Sequence, residues 1–232
     1  MEPITISVAV AISLALGSIG TTAAVTTAVI KWDDILIALK GKKIAVLGSR
    51  ATGKTTLLKY ITIGNLIERY NQTVTPKDTE KRRFKLDEID IKVKKTRDVG
   101  GGKEDYLAWK QLFMESDLVF YLVRADKLLK RDLKTEQRVE ADLNHIRGWI
   151  QQSKSAQQVF IIGTHCDLDP EFRNIKPNNV GDYVDRFRQL PSVTKMTVLA
   201  SNVRPVNVVI GSLENEQSAN QLVSQIFQQV LK

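Results

Sequence analysis

Between Gly48 and Thr56 the chain reads Gly48-Ser49-Arg50-Ala51-Thr52-Gly53-Lys54-Thr55-Thr56, with an apolar run from Ile44 to Leu47 before it and a helical pattern at Leu57, Leu58 and Ile61 after it. A strand, a Gly-rich turn and a helix in that order form a phosphate-binding loop. Gly48 and Gly53 let the backbone turn tightly with its N–H groups inward, and the following helix adds the partial positive charge of its N-terminus at the same place. Lys54 is suited to reach the β- and γ-phosphates of a nucleotide, and the Thr55 hydroxyl to bind Mg²⁺. A second signal is Asp98-Val99-Gly100-Gly101-Gly102. There the Asp98 carboxylate at a strand end can reach Mg²⁺ through water, and the Gly101 N–H can meet a γ-phosphate.

Strands alternating with helices must carry these residues. Phe84–Leu86 and Ile89–Val93 alternate apolar and polar, which predicts two half-exposed antiparallel strands ending at Asp98. Leu118–Val123 and Val159–Gly163 are short apolar runs expected as buried strands, and Met196–Ala200 is expected as the last strand. Helical patterns fall on the stretch with Tyr106, Trp109 and Phe113 on one side, on Lys130–Gln152, on Val180–Leu190 and on Asn215–Lys232. The alternation predicts an α/β fold, a doubly wound, mostly parallel sheet with helices on both faces. Its ligand should sit at the C-terminal strand ends.

With 232 residues, 43% hydrophobic and 26% charged, the chain can hold one medium domain and an appendage but not two large domains. Cys166 is the single cysteine, which excludes an intrachain disulfide and fits a reducing compartment. The net charge of +8 suits either nucleic acid or an anionic membrane surface. Lys81, Arg82, Arg83, Lys85, Lys92, Lys94, Lys95 and Arg97 fall on and beside the two amphipathic strands without interleaved aromatics, which favours anionic lipid over nucleic acid.

From Ile4 to Ile30 no side chain is charged, and Lys31 and Trp32 follow at once. As a helix this run would be about 40 Å long against a hydrocarbon core of about 30 Å, so residues 1–30 are expected as a transmembrane anchor. Glu2 is the only charged side chain before it, whereas Lys31, Lys40, Lys42 and Lys43 follow it, which puts the rest of the chain in the cytoplasm as a single-pass protein. A cleaved signal peptide fits less well, because no basic residue precedes the apolar run. Residues 31–41 then form a linker or interfacial helix, with Trp32, Ile35, Leu36 and Leu39 at helical spacing. Residues 42–232 form the nucleotide-binding domain.

On GSRATGKT and DVGG in this order, the chain resembles the Ras-like small GTPases of the P-loop superfamily. DVGG followed by a Trp-bearing helix looks most like the Arf branch and the β-subunit of the signal-recognition-particle receptor, itself a GTPase with an N-terminal membrane anchor. The resemblance implies a GTP/GDP- and Mg²⁺-dependent switch whose two loops order around the γ-phosphate. It also implies a threonine that caps Mg²⁺, Thr79 or else Thr75. The family's base-reading Asn/Thr-Lys-x-Asp motif is matched by Thr164-His165-Cys166-Asp167 at the two positions that hydrogen-bond, and Asp167 would accept from the guanine N1 and N2 donors. His165 departs from the expected lysine, whose stem packs over the base. The loop whose alanine N–H touches guanine O6 is matched by Leu199-Ala200-Ser201.

Two more positions bear on catalysis. Gly102 stands where the family usually carries the glutamine that positions water, so unassisted hydrolysis is expected to be slow. Arg50 lies beside the expected γ-phosphate and either stabilises charge there, as a catalytic group beside Lys54, or points to solvent. Three functions follow from this: an anchored switch that recruits or gates a protein effector or meets a GTPase-activating partner, a nucleotide-loaded membrane scaffold with little catalysis, and an ATP-using P-loop protein. Asp167 argues against the last.

Overall fold

Four segments rich in β-branched and aromatic residues pair into a single parallel sheet among the described residues. They are β1 (Ile44–Leu47), β2 (Leu118–Arg124), β3 (Gln158–Thr164) and β4 (Val206–Ile210), hydrogen-bonded in that order. The computed structural model describes residues 39, 41–63, 103–153, 155–175, 179–201 and 206–231. Its helices in chain order are α1 (Lys54–Ile63), α2 (Lys103–Met114), α3 (Ala125–Leu129), α4 (Leu133–Gln152), α5 (Pro170–Arg173), α6 (Val180–Arg188), α7 (Pro191–Ser201) and α8 (Glu216–Val230).

Strands β1, β2 and β3 are buried along nearly their whole length because each of their two faces is covered. Side chains alternate across a strand, so Ala45, Leu47, Val119, Tyr121, Val123, Val159 and Ile161 enter one core with residues of α2, α4, α6 and α7. Ile44, Val46, Leu118, Phe120, Leu122, Phe160 and Ile162 enter the other, against Leu57 and Ile61 of α1 and Leu222, Ile226 and Phe227 of α8. Helices on both faces of a parallel sheet are the doubly wound arrangement expected from the alternation. All four C-terminal strand ends therefore lie along one edge.

The last strand is a correction. Met196–Ala200 is not a strand but part of α7, which starts at Pro191, where a proline is pre-organised for a first helical turn. Val193 and Met196, one helical turn apart, are both buried in the core shared with α4. The strand is Val206–Ile210 instead. The charged helix also begins later than Lys130. Arg131 adopts a left-handed conformation with φ 58°, and the Asp132 carboxylate caps α4 by accepting from the Thr135 N–H at 3.0 Å. The strands expected at Phe84–Leu86 and Ile89–Val93 and the apolar run Ile4–Ile30 lie outside the described residues. Among the described residues no helix is long and apolar enough to cross a membrane.

One polar centre sits inside the first core. Asp142 of α4 is fully buried and accepts hydrogen bonds from the Tyr106 hydroxyl (2.8 Å), the Arg138 Nε (2.9 Å) and the Tyr121 hydroxyl (3.0 Å). Three donors on one carboxylate compensate its loss of water. Tyr106 of α2 also stacks on His145 of α4, with ring centroids 3.9 Å apart, and the Arg138 guanidinium lies over both Tyr106 and Trp109. Helix α2 is thereby fixed to α4 and β2 through one acceptor. Burial and the neighbouring Asp142 charge push the Tyr121 hydroxyl well above its ordinary pKa, so it remains a donor.

Removing that acceptor should cost far more than removing one donor. Asp142→Ala strands a partly buried guanidinium and two hydroxyls and should lower unfolding free energy by about 3 kcal/mol, toward the low end for a broken buried pair because Arg138 keeps some water. Tyr121→Phe should cost about 1 kcal/mol. Urea denaturation midpoints of the two variants check this, and equal losses would refute Asp142 as the shared acceptor.

Candidate functional site

The edge carrying the strand ends gathers four loops. After β1, residues Gly48–Gly53 form a loop in which Gly48 (φ 136°), Ala51 (φ 56°) and Gly53 (φ 86°) have positive φ. Gly48 is obligatory for a second reason. A Cβ there would stand 2.4 Å from the Leu122 carbonyl oxygen of the neighbouring strand. At Gly53 a Cβ would meet Leu213 at 2.9 Å, so this loop is pressed against the turn after β4.

Lys54 begins α1, and its ammonium reaches back to donate to the carbonyl oxygens of Gly48 (2.7 Å) and Ser49 (2.5 Å). The buried Thr52 hydroxyl donates to the Ser49 carbonyl at 2.9 Å, which tightens the turn. Thr55 is exposed in the first turn of α1, Thr56 is half-buried beside it, and Arg50 and Ala51 are exposed on the outside of the loop. The first turn of α1 contains no acidic residue. Backbone N–H groups, an ammonium and hydroxyls make a donor set that suits an anion of the phosphate class.

After β3, Thr164-His165-Cys166-Asp167 leads into a 3₁₀ turn at Cys166–Leu168. Thr164 is fully buried, and its Oγ1 lies 3.0 Å from the Thr52 carbonyl oxygen, 3.1 Å from the Val123 carbonyl oxygen and 2.8 Å from His165 Nδ1. A hydroxyl has one proton, and carbonyls can only accept. That proton belongs to the carbonyls, so His165 Nδ1 donates to Oγ1 and Nε2 carries the lone pair in the neutral ring. Burial, and then the nearby Arg124 charge, lower the His165 pKa, which favours that neutral form. The backbone of His165 is left-handed, with φ 62°, and this turns the chain so that Asp167 leaves the sheet edge half-exposed. Tyr183 braces the loop from α6 by donating to Asp169 at 2.9 Å.

Asp167 is positioned from two sides. The Ser212 hydroxyl, just past β4, donates to Asp167 Oδ1 at 2.5 Å and accepts from the Glu214 N–H at 3.0 Å. Arg173 Nε donates to the Asp167 backbone carbonyl. Backbone bonds from the Gly211 N–H to Gly163 (2.9 Å) and from the Cys166 N–H to the Gly211 carbonyl (3.3 Å) join the β3 and β4 loops.

The loop that faces Asp167 is therefore Gly211-Ser212-Leu213 and not Leu199-Ala200-Ser201. Ala200 lies in the last turn of α7 because the expected strand there is a helix. The signal that could have found the loop facing Asp167 is Val206-Asn207-Val208-Val209-Ile210, a β-branched run ending directly in Gly-Ser.

A fourth group comes from the end of β2. Arg124 is the register partner of Thr164, and its Nε and one Nη donate to the two oxygens of Asp126 at 2.7 and 2.6 Å. Burial works against the charge on Asp126, but the hydrogen bonds and charge of Arg124 hold its carboxyl below the ordinary range. Nothing in the local sequence marks this pair as part of a site.

The structure thus brings Gly48, Ser49, Arg50, Ala51, Thr52, Gly53, Lys54, Thr55 and Thr56 to the same edge as Thr164, His165 and Asp167. Thr79, Thr75, Asp98, Gly101 and Gly102 lie outside the described residues. Among the described residues no group of three or more His, Cys, Asp or Glu side chains could hold a metal ion.

The lowered pKa of His165 has a consequence for stability. The unfolded chain protonates this ring near pH 6.5 while the folded chain resists, so the unfolded state binds more protons in that range. The stabilisation is complete above about pH 6.5 and is lost as pH falls through the folded value. Urea denaturation at pH 8, 7, 6 and 5 should show a steeper acid-side loss for the wild type than for His165→Asn, a residue that also tolerates a left-handed backbone. Parallel curves would remove this role.

Matches to the chain include two solved structures and one family profile. The chain matches a small COPII coat GTPase of ADP-ribosylation-factor-like type from Encephalitozoon cuniculi, solved with GDP, at 14% identity over 85% of each chain with a TM-score of 0.50. It also matches the signal recognition particle receptor SRb-GTP/SRX complex from Chaetomium thermophilum at 14% identity, covering 81% of this chain and 97% of that one, with a TM-score of 0.49. The first likeness is one of fold. The profile of the family described as the Ras of Complex, Roc, domain of DAPkinase covers residues 43–167, which takes in the phosphate loop, β1 to β3 and Asp167. With more than half of its length under that profile, the chain belongs to the Roc family of Ras-like GTPase domains.

Proposed function

We propose that the chain is a guanine-nucleotide-binding switch anchored in a membrane, with slow hydrolysis until a partner completes its site. The observation that carries the nucleotide reading is the pairing of two loops. The anion-binding turn Gly48–Lys54 is tied through the Thr52–Thr164 contact to a loop that presents Asp167, held by Ser212, at the same edge. An ionised carboxylate in that place accepts from the N1 and N2 donors of guanine, a pair that adenine does not offer. Lys54 and the loop N–H groups offset phosphate charge. Mg²⁺, held by Thr55 with Asp98 and Thr79, would supply further charge neutralisation at the phosphate oxygens.

Catalysis needs an oriented water as well as charge neutralisation. Gly102 has no side chain to orient one. Arg50 is exposed on the loop. An arginine from a partner is worth ~10³ to 10⁵ in rate in this class, which makes partner-dependent turnover the expected behaviour. A nucleotide-loaded scaffold is the alternative, favoured by Gly102 and His165. It predicts no acceleration by any partner.

Competition between GDP and ADP should favour GDP strongly, and Asp167→Asn should weaken GDP binding by ~1 to 3 kcal/mol because the guanine donors lose their charged acceptor. Equal competition by the two nucleotides would defeat the guanine reading. Single-turnover assays with saturating GTP and Mg²⁺ should show slow hydrolysis in the wild type and none faster in Arg50→Ala. Fast wild-type turnover that survives Arg50→Ala would sink the slow-switch reading.

Membrane attachment rests on the uncharged run Ile4–Ile30 and the lysines that follow it. The basic residues between Lys81 and Arg97 then suit anionic lipid by their charge, and a cytoplasmic effector is the natural partner. Removing residues 1–30 should move the protein from the detergent-extracted to the soluble fraction while GDP binding is retained. Full-length protein in the soluble fraction without detergent would argue against the anchor.

A further inference from the structure

The base-reading loop has lost a cation. Position 165 carries histidine where the motif expects lysine, and burial and the Arg124 charge favour the neutral form of that ring, which its bond to Thr164 holds in place. A fixed cation stands next to it all the same. Arg124 ends β2 in register with Thr164, one residue from His165, and its side chain is only 20% exposed. Its field reaches both His165 and Asp167. The bidentate bond to Asp126 fixes the plane of the guanidinium and uses Nε and one Nη, which leaves Nη1 outside the pair. The Asp126 side chain, 7% exposed, is turned inward to hold Arg124.

We infer that Arg124, locked in place by Asp126, covers the purine in the nucleotide site, the task that the stem of a lysine at position 165 would otherwise perform. A planar guanidinium suits this task because it can lie against a purine face while its remaining amino group donates to an acceptor. The two groups are alternatives, because a lysine at 165 beside Arg124 would put like charges together. This inference rests on the guanine-nucleotide reading of the same edge.

Calorimetric titration of the full chain in detergent with GDP tests it. Arg124→Gln combined with Asp126→Asn replaces the ion pair by a neutral hydrogen-bonding pair, so no buried carboxylate is left without a partner. That double variant should bind GDP about ten-fold more weakly than the wild type. Adding His165→Lys to it should restore affinity to within about three-fold of the wild type, whereas His165→Lys alone should gain nothing. Asp126→Asn alone should give an intermediate loss, since the cation remains but is no longer held.

Wild-type affinity in the double variant overturns the assignment. So does a loss that follows a fall in melting temperature and is not repaired by His165→Lys, because a merely structural ion pair would behave that way. Failure of the wild type itself to bind GDP would instead sink the nucleotide reading, a separate result visible before any variant is made.

Discussion

A single buried hydroxyl holds the functional edge together. Thr164 Oγ1 lies within hydrogen-bonding distance of the phosphate loop at Thr52, of strand β2 at Val123 and of the ring of His165. These groups arrive from three segments far apart in sequence, and only the parallel register of β1, β2 and β3 brings them to one point. Any shift in that register would strand a buried hydroxyl and two carbonyls, at about 1 to 3 kcal/mol for each buried group left unsatisfied. The close approach of Gly48 to the Leu122 carbonyl enforces the same register from the other side. Strand pairing and site geometry are thus one constraint.

The consequence for chemistry is a division of labour along the edge. The β1 end offers N–H groups and an ammonium, the β3 end offers a carboxylate, and the His165 ring and the fixed Arg124 guanidinium belong to the same edge. An anionic group and a hydrogen-bond-donating base could be held at the two ends without either charge being buried unpaired. His165 fits this pattern better than its departure from the expected lysine suggests, because the cation stands on the adjacent strand.

The parts of this arrangement that were legible in the sequence are those whose chemistry is local. Gly48 to Thr55 identify themselves because the turn, the lysine and the following helix lie within a few residues, and the apolar runs that become β2 and β3 are too long and too β-branched to be mistaken. Ser212 and Arg124 could not be read in the same way. Serine and arginine are ordinary residues, and they acquire meaning only when β4 places one opposite Asp167 and the β2–β3 register places the other opposite Thr164. The exchange of Met196–Ala200 for Val206–Ile210 has a similar cause. A five-residue apolar stretch fits a helix face as well as a strand, and packing of Val193 and Met196 against α4 decided between them.

The carboxylate of Asp142 gives the seam between α2 and α4 a property that its apolar contacts lack. Greasy surfaces can slide past one another at little cost, but a hydrogen bond has a tooth spacing. Moving α2 along α4 by one helical turn, about 5.4 Å, would bring position 103 or position 110, both lysines, to the place now held by Tyr106. The stack on His145 would be lost in the same movement. Helix α2 is therefore held at one register along α4, and in the chain it follows directly on Asp98–Gly102.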